Sequence, residues 1–403
     1  MIDLARIRGL LSERQSGYTL PQPFYVDPDL FAFDMKAIFE TSWLMVGFDI
    51  ELPSVGSYIS INVGRSPIII LRDRDGRIRG FFNSCRHRGA QICKPGVGTA
   101  RRLVCPYHQW TYDLDGKLVF AKDMQESFDP TQHSLRPIHV EVVAGSIYIC
   151  LADNPPPFEE FKTALAPLLA PHDIANSKIA YEATLVEKAN WKLVMENARE
   201  CYHCSACHPE LAVTFPVEST AYFEDEDDSL GKFQARMKAF DLPVGPVGGA
   251  WWQAMRFPLK GDCVSVTANG SSAVTKPMCA IADGNVGSLR WALEPHSFAH
   301  AVGDYLFMFS AMPTAPEETV VTAKWLVHKD AVEGVDYTIE NLTAVWNATN
   351  LEDRALAENN QLGVNSIGYV PGPYNEVPEE LVLRFTDWYC SKADAYLEKY
   401  LKT

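Results

Sequence analysis

From Trp43 to Leu151 the chain is a series of short apolar runs of strand length, separated by Gly, Asp and Pro turns. Ser57 to Val63, Pro67 to Leu71, Ile78 to Asn83, Leu103 to Cys105, Trp110 to Tyr112 and Gly145 to Leu151 read as strands. They predict a compact all-β unit that stops at the breaker Asn154-Pro155-Pro156-Pro157. Ahead of it, residues 1–40 form a charged amphipathic stretch to about Ser16, a Pro-punctuated link from Leu20 to Pro23, and helical Asp29 to Glu40. Behind it, the pattern predicts helices over Phe158 to Leu169 and Ala189 to Ala206, then an acidic, Gly/Pro-interrupted region to about residue 250. Long antiparallel strands follow across 262–329, clearest at Tyr305 to Met312 and Thr319 to Val327, and helices at about 333–362 and 376–401 close the chain. The fold class is therefore α+β, with boundaries at 1–40, 41–157 and 158–403.

Composition narrows what such a chain does. Its 403 residues are 47% hydrophobic and 22% charged, a globular balance. The 36 Lys and Arg against 51 Asp and Glu leave a net charge of −15, which argues against a sequence-independent hold on nucleic acid or an anionic membrane. No run approaches the length of a membrane span, and the N-terminus does not read as a signal peptide. A cytoplasmic location is expected, and there ten cysteines predict metal or redox chemistry rather than a disulfide framework. The five consecutive acids Glu224 to Asp228 read as a solvated loop.

The first constellation is Cys85-Arg86-His87, then 17 residues, then Cys105-Pro106-Tyr107-His108. Each loop presents one thiolate and one imidazole, a set that suits tetrahedral zinc or a [2Fe-2S] centre of the Rieske kind. Zinc sites of mixed ligands usually draw on Cys-x2-Cys pairs. One Cys and one His on each loop instead let one iron take both thiolates and the other both imidazoles, so the spacing favours Rieske. From Phe81 to Tyr112 the chain carries Arg86, Arg88, Lys94, Arg101 and Arg102 and no acid. This positive collar suits the reduced cluster and an acidic electron donor. Gly89 and Pro106 serve the loop backbones, Trp110 is expected beneath the cluster, and Cys93 is structural.

The second constellation runs from Asn190 to Pro209. Glu200 and His203 are expected on one helical face. His203 and His208 can reach a common metal only if the helix widens or breaks between them. Two His with one carboxylate form the facial triad of non-haem Fe(II) sites that activate O2. The carboxylate should come from a later helix, with Asp353 the best candidate and Glu352 and Glu358 as competitors. Cys201, Cys204 and Cys207 also spell Cys-x2-Cys-x2-Cys, which could mark a second cluster. Their helical spacing reads better as small buried hydrophobes.

These motifs together resemble the α subunit of Rieske non-haem iron oxygenases, over essentially the whole chain. The likeness is greatest to enzymes that demethylate quaternary ammonium compounds, the glycine betaine and proline betaine (stachydrine) monooxygenases. It is carried by Asn83 to Gly89, Leu103 to Trp110, Glu196 to His203, Lys324 to Tyr337 and Tyr369 to Tyr374. The resemblance implies a Rieske β domain over 41–157, a helix-grip catalytic domain over 158–403 with residues 1–40 packed on it, and a head-to-tail homotrimer. It also implies a [2Fe-2S] cluster at Cys85, His87, Cys105 and His108 and a mononuclear Fe(II) at His203, His208 and Asp353. An interface carboxylate carries electrons between neighbouring subunits in this family. Most members have Asp there, and this chain has Glu200, as the quaternary-amine group tends to; a direct iron ligand is the other role open to it.

The expected activity is hydroxylation of an N-methyl group, releasing formaldehyde and a tertiary amine, with an aromatic ring hydroxylase or O-demethylase as the alternative on the same scaffold. No Gly-rich dinucleotide turn or plant-type cysteine spacing is present, so electrons from NAD(P)H require a separate flavin/ferredoxin-type reductase. A quaternary ammonium ion calls for aromatic faces. Trp251 and Trp252 are the first candidates, with Phe307 and Phe309, among Trp291, Phe298 and Tyr305.

Overall fold

The computed structural model describes residues 2–217, 229–281 and 284–401, so the acidic run Glu224 to Asp228 lies outside the described residues. The chain divides between Ile38 and Phe39, and again between Pro157 and Phe158, into two compact units.

The unit Phe39–Pro157 is built on a seven-stranded sheet in the order β1-β10-β9-β4-β3-β2-β5. These strands are β1 (Leu44–Phe48), β2 (Ser57–Val63), β3 (Ser66–Arg72), β4 (Ile78–Phe82), β5 (Gly96–Thr99), β9 (Pro137–Val143) and β10 (Ser146–Cys150). β3 lies between two partners, and Ile68, Ile69, Ile70 and Leu71 are all fully buried, which is why the sequence there is a continuous apolar run and not an alternating one. A three-stranded sheet, β6 (Leu103–Val104), β7 (Thr111–Tyr112) and β8 (Leu118–Phe120), carries the second Cys/His loop between β6 and β7. Strands β1, β5, β8 and β9 were not signalled by the sequence pattern; β5 reads Gly-Val-Gly-Thr and has no buried residue to mark it.

The other unit combines residues up to Ile38 with those from Phe158 onward. Its sheet has the order β11-β17-β16-β15-β14-β13-β12, antiparallel throughout. The strands are β11 (Ser177–Glu187), β12 (Val247–Gly248), β13 (Trp252–Phe257), β14 (Ser288–Leu293), β15 (Ser297–Ala301), β16 (Tyr305–Ala315) and β17 (Glu318–His328). The helix Ile339–Val364, capped by the Thr338 side chain on the Asn341 N–H, lies against one face of the sheet. Trp346 marks the contact: its ring stacks on Phe307 at 4.2 Å and 4°, and its Nε1 donates to Tyr305 Oη at 2.9 Å.

One expected helix is broken. The span Ala189 to Ala206 forms a helix only over Trp191–Asn197 and one turn over Cys204–Cys207. Asn190 caps the first, accepting from Lys192 N, and its own N–H donates to Gln361 Oε1 at 2.8 Å. Lys188 N donates to Glu358 Oε1 at 3.0 Å, so two bonds register this segment against the long helix. Beneath it Asp34 and Lys192, both fully buried, form an ion pair, and Asp34 also accepts from Trp191 Nε1 at 3.0 Å and Tyr389 Oη at 2.8 Å. Removing one partner of such a pair costs about 3–5 kcal/mol.

Candidate functional site

The two Cys/His loops of the β unit close in the same way. Cys85 N donates to Ala90 O at 2.9 Å and Gly89 N to Cys85 O at 2.9 Å; in the second loop Cys105 N donates to Trp110 O at 2.8 Å and Gln109 N to Cys105 O at 3.0 Å. Each loop turns through a left-handed residue, Gly89 at φ +80° and Gln109 at φ +60°. The result brings all four candidates together with the sulfurs inside and the imidazoles outside. Cys85 and Cys105 are buried, while His87 is exposed and its Nδ1 stands 3.1 Å from His108 Nδ1. Two thiols and two facing Nδ1 atoms are the donor set of a Rieske centre. Trp110 is buried and stacks on His87 at 4.8 Å, and Cys93 is buried in the same core. The sequence did not signal Tyr112, whose hydroxyl lies 3.2 Å from Cys85 Sγ and accepts from Arg86 N at 2.9 Å. The five collar cations are all exposed.

The second site forms where the helix breaks. His203 and His208 flank the turn Cys204–Cys207 as its two caps, and Asp353 projects from the long helix. His203 Nε2 and His208 Nε2 are 2.9 Å apart, and Asp353 Oδ1 lies 3.2 Å from the first and 3.0 Å from the second. Three ligands at right angles around one ion, with bonds of about 2.1 Å, would stand about 3.0 Å apart. The three atoms therefore fit a facial set around a single metal.

The competing carboxylates sort by which nitrogen they face. Glu352 Oε2 bonds His208 Nδ1 at 2.7 Å, and Glu200 Oε1 bonds His203 Nδ1, so both lie on the side of the ring away from Asp353. Accepting from Nδ1–H fixes the tautomer that leaves each Nε2 lone pair free for the common point. Glu358 is spent on Lys188 and Arg354. Glu200 does not share a helical face with His203 as expected: the chain is irregular between the two helices, and the Glu200 carboxylate also accepts from Tyr202 N and His203 N. Burial disfavours a charged His203, but Asp353 and Glu200 outweigh it and hold its pKa at about 10. This excess of negative charge is what a divalent cation neutralises.

The cysteines of this segment depart from expectation. Cys201 and Cys204 are joined by a disulfide, where unpaired small hydrophobes were expected. The broken helix allows it, since their Cα atoms approach to 4.9 Å. Cys204 Sγ is near the two imidazoles, but in a disulfide it offers no thiolate, and the three-cysteine cluster has no basis.

A cavity of about 550 Å³ opens beside His203, His208 and Asp353. Phe215, Phe257, Phe298, Phe309 and Trp346 supply ring faces to its wall, and Arg290 and Glu187 supply charge. Burial, and then the charges of Asp353 and Glu358, push Glu187 up to about 8. Trp251 and Trp252 are not on this wall: they pack with Phe158 and Phe161 instead. Phe307 lies behind Trp346, and Trp291 and Tyr305 are fully buried core. Cross-strand register accounts for the residues that do reach the wall, because directly paired residues share a face. Met255, Arg290, His300 and Phe307 form one row, and Gln253, Ala292, Phe298 and Phe309 the next.

Comparison with known proteins identifies the family of the chain. Residues 42–136 match the Rieske [2Fe-2S] domain and residues 174–395 the catalytic domain of the ring hydroxylating alpha subunit. The chain belongs to this family and is a Rieske-type non-haem iron monooxygenase, with a [2Fe-2S] cluster and a mononuclear iron as its cofactors. It is 43% identical over 393 residues to the glycine betaine monooxygenase oxygenase subunit of Pseudomonas aeruginosa, covering 95% of this chain and 91% of that one. The carnitine monooxygenase oxygenase subunit of Acinetobacter baumannii is 36% identical over 232 residues, 56% of this chain and 62% of its own. A crystal structure of a quaternary ammonium Rieske monooxygenase superposes with a TM-score of 0.73 at 24% identity, over 95% of this chain and 98% of that one, and so shares the fold.

Proposed function

We propose that the chain is the oxygenase component of a monooxygenase that removes an N-methyl group from a quaternary ammonium, betaine-like substrate. The observation that carries this reading is the cavity, in which His203 Nε2, His208 Nε2 and Asp353 Oδ1 converge beside a wall of ring faces. A quaternary ammonium ion has no hydrogen to donate, so ring faces and nearby carboxylates are what bind it. The 43% identity to glycine betaine monooxygenase oxygenase subunits supports the same substrate class.

His203, His208 and Asp353 would hold the iron, and Cys85, Cys105, His87 and His108 the cluster. When bound, the two groups supply O2 activation and single-electron relay. The chain's own residues do the rest. Glu352 and Glu200 orient the two imidazoles through Nδ1, and the aromatic wall holds the substrate cation and excludes water. Glu200 bridges electron transfer from the His87/His108 edge of a neighbouring copy in a homotrimer.

NAD(P)H gives two electrons through a separate flavin/ferredoxin-type reductase, and its supply places the enzyme in the cytoplasm. One oxygen atom enters an N-methyl C–H bond, and the hydroxymethyl compound splits into formaldehyde and the tertiary amine. The other oxygen atom leaves as water. The purified chain is expected to hold about three irons. With a reductase it should release formaldehyde in step with NADH consumption when offered glycine betaine, proline betaine, choline, carnitine and simple aromatics in turn. Turnover of the aromatics alone, with no formaldehyde, overturns the reading.

A further inference from the structure

We propose that His300 donates a hydrogen bond through Nε2 to the carboxylate of a zwitterionic substrate, and so favours betaines over quaternary amines that lack an acid. This rests on the quaternary-ammonium reading and names the acidic end of that substrate.

The proton on His300 is placed by the sheet. His300 on β15 pairs with Arg290 on β14, so Ser288, two residues back along β14, is a diagonal neighbour on the same face. Ser288 is fully buried, and its Oγ lies 2.9 Å from His300 Nδ1. This is the one bond its hydroxyl makes among the described residues. A proton on Nδ1 would leave that buried hydroxyl with a hydrogen and no acceptor, a costly loss away from water. The hydroxyl therefore donates to Nδ1, and the imidazole carries its proton on Nε2. Burial, and then the charge of Arg290, hold His300 well below its ordinary pKa, so the ring stays neutral with that single proton.

The Nε2–H has no hydrogen-bond partner among the described residues, although His300 is only 5% exposed. It is not sealed in the core either, and the open space that His300 borders is the cavity. Around the imidazole stand the rings of Phe215, Phe298 and Trp346, centred 5.3, 5.7 and 5.1 Å away. Such rings accept an N–H weakly, whereas a carboxylate accepts it strongly. An ammonium group that carries only carbon has nothing to accept with, so the acid of a betaine is the complement of this donor. Its distance from the three converging ligands suits that role. Trp346 stands on the long helix seven residues before Asp353, two turns away on nearly the same face and about 10 Å along the axis. Asp353 and Glu200, both bonded to His203, keep negative charge at the other end of the cavity, where the ammonium group belongs. A short ligand that is cationic at one end and anionic at the other matches this separation.

The test is direct binding to the iron-loaded protein, by calorimetry without reductase, of glycine betaine and of ethyltrimethylammonium, which carries a methyl group in place of the carboxylate. In the unsubstituted chain glycine betaine should bind more tightly. His300→Phe keeps a ring and removes the donor; it should weaken glycine betaine about 30-fold and ethyltrimethylammonium less than about threefold. If the stranded Ser288 hydroxyl prevents that variant from folding, the double substitution Ser288→Ala, His300→Phe removes both partners and carries the same expectation. His300→Gln, whose amide reaches about as far and still offers an N–H, should hold glycine betaine to within about fivefold of the unsubstituted chain. An unchanged ratio of the two affinities in the Phe variants, whether neither ligand or both are weakened, overturns the donor role and leaves the broader reading standing. Failure of the unsubstituted chain to bind either compound overturns both.

Discussion

The two candidate ligand sets are held in different ways. Cys85, His87, Cys105 and His108 stand on a pair of loops that each close through their own backbone, with the same two hydrogen bonds and the same left-handed residue. His203 and Asp353 are 150 residues apart and meet because a helix breaks at Asn197 and a second helix is registered against it by Asn190–Gln361 and Lys188–Glu358. The first site is built by local geometry and the second by tertiary packing. Their charges differ as well, with exposed cations around one and converging carboxylates around the other. A site of the first kind should survive damage to the second, and the variants below test that independence.

The largest effect is expected from His203→Ala. It should remove the mononuclear iron and bring turnover below detection while the visible absorption of the cluster stays as it was; retained turnover would take His203 out of the site. Next comes Glu200→Gln, which keeps the size of the side chain and removes its charge. Metal analysis should still find about three irons, and turnover should fall by about 100-fold. Loss of the mononuclear iron in that variant would make Glu200 a ligand and not a bridge.

Glu352→Gln gives the His208 Nδ1–H donor a weaker acceptor, and competition with a chelator should show the iron bound about 10-fold more weakly with the cluster unchanged. The smallest effect belongs to Tyr112→Phe in the other unit. Losing the hydroxyl beside Cys85 Sγ removes a hydrogen bond that favours the reduced, more negative cluster, worth about 1 kcal/mol. A redox titration should place the potential lower by some tens of millivolts, on the order of 40 mV. The mononuclear site should be untouched; a change in its iron content would show that the two sites are not independent.

The same contrast explains what could be read in advance. Cys-x-His and Cys-x2-His were legible because ligand and loop are contiguous, and the collar cations Arg86 to Arg102 sit in the same stretch. His203, His208 and Asp353 were also named, with Glu352 and Glu358 ranked behind Asp353. In the structure the ring nitrogen each one faces separates Glu352 from Asp353, and Glu358 is spent on Lys188 and Arg354. The continuous helix expected through Ala206 misled the reading of Glu200 and of the cysteines, because residue spacing says nothing about a break set by packing elsewhere.

The cavity wall was the least legible part. Adjacent tryptophans in a Gly/Pro-rich loop looked like a substrate box, yet Trp251 and Trp252 found partners in Phe158 and Phe161. Phe298, Phe309, His300, Trp346 and Arg290 line the cavity, and of these Phe309 had been a named candidate and Phe298 a lower-ranked one.

The sequence by itself determined the α+β class and the identity and spacing of the candidate ligands on each loop, because these depend on residue types close together in the chain. Tertiary structure alone decided how the carboxylates divide between the two faces of each imidazole and which aromatic rings line the cavity. Those choices rest on strand register and on one helix lying across a sheet, and both are fixed by packing between residues far apart in sequence.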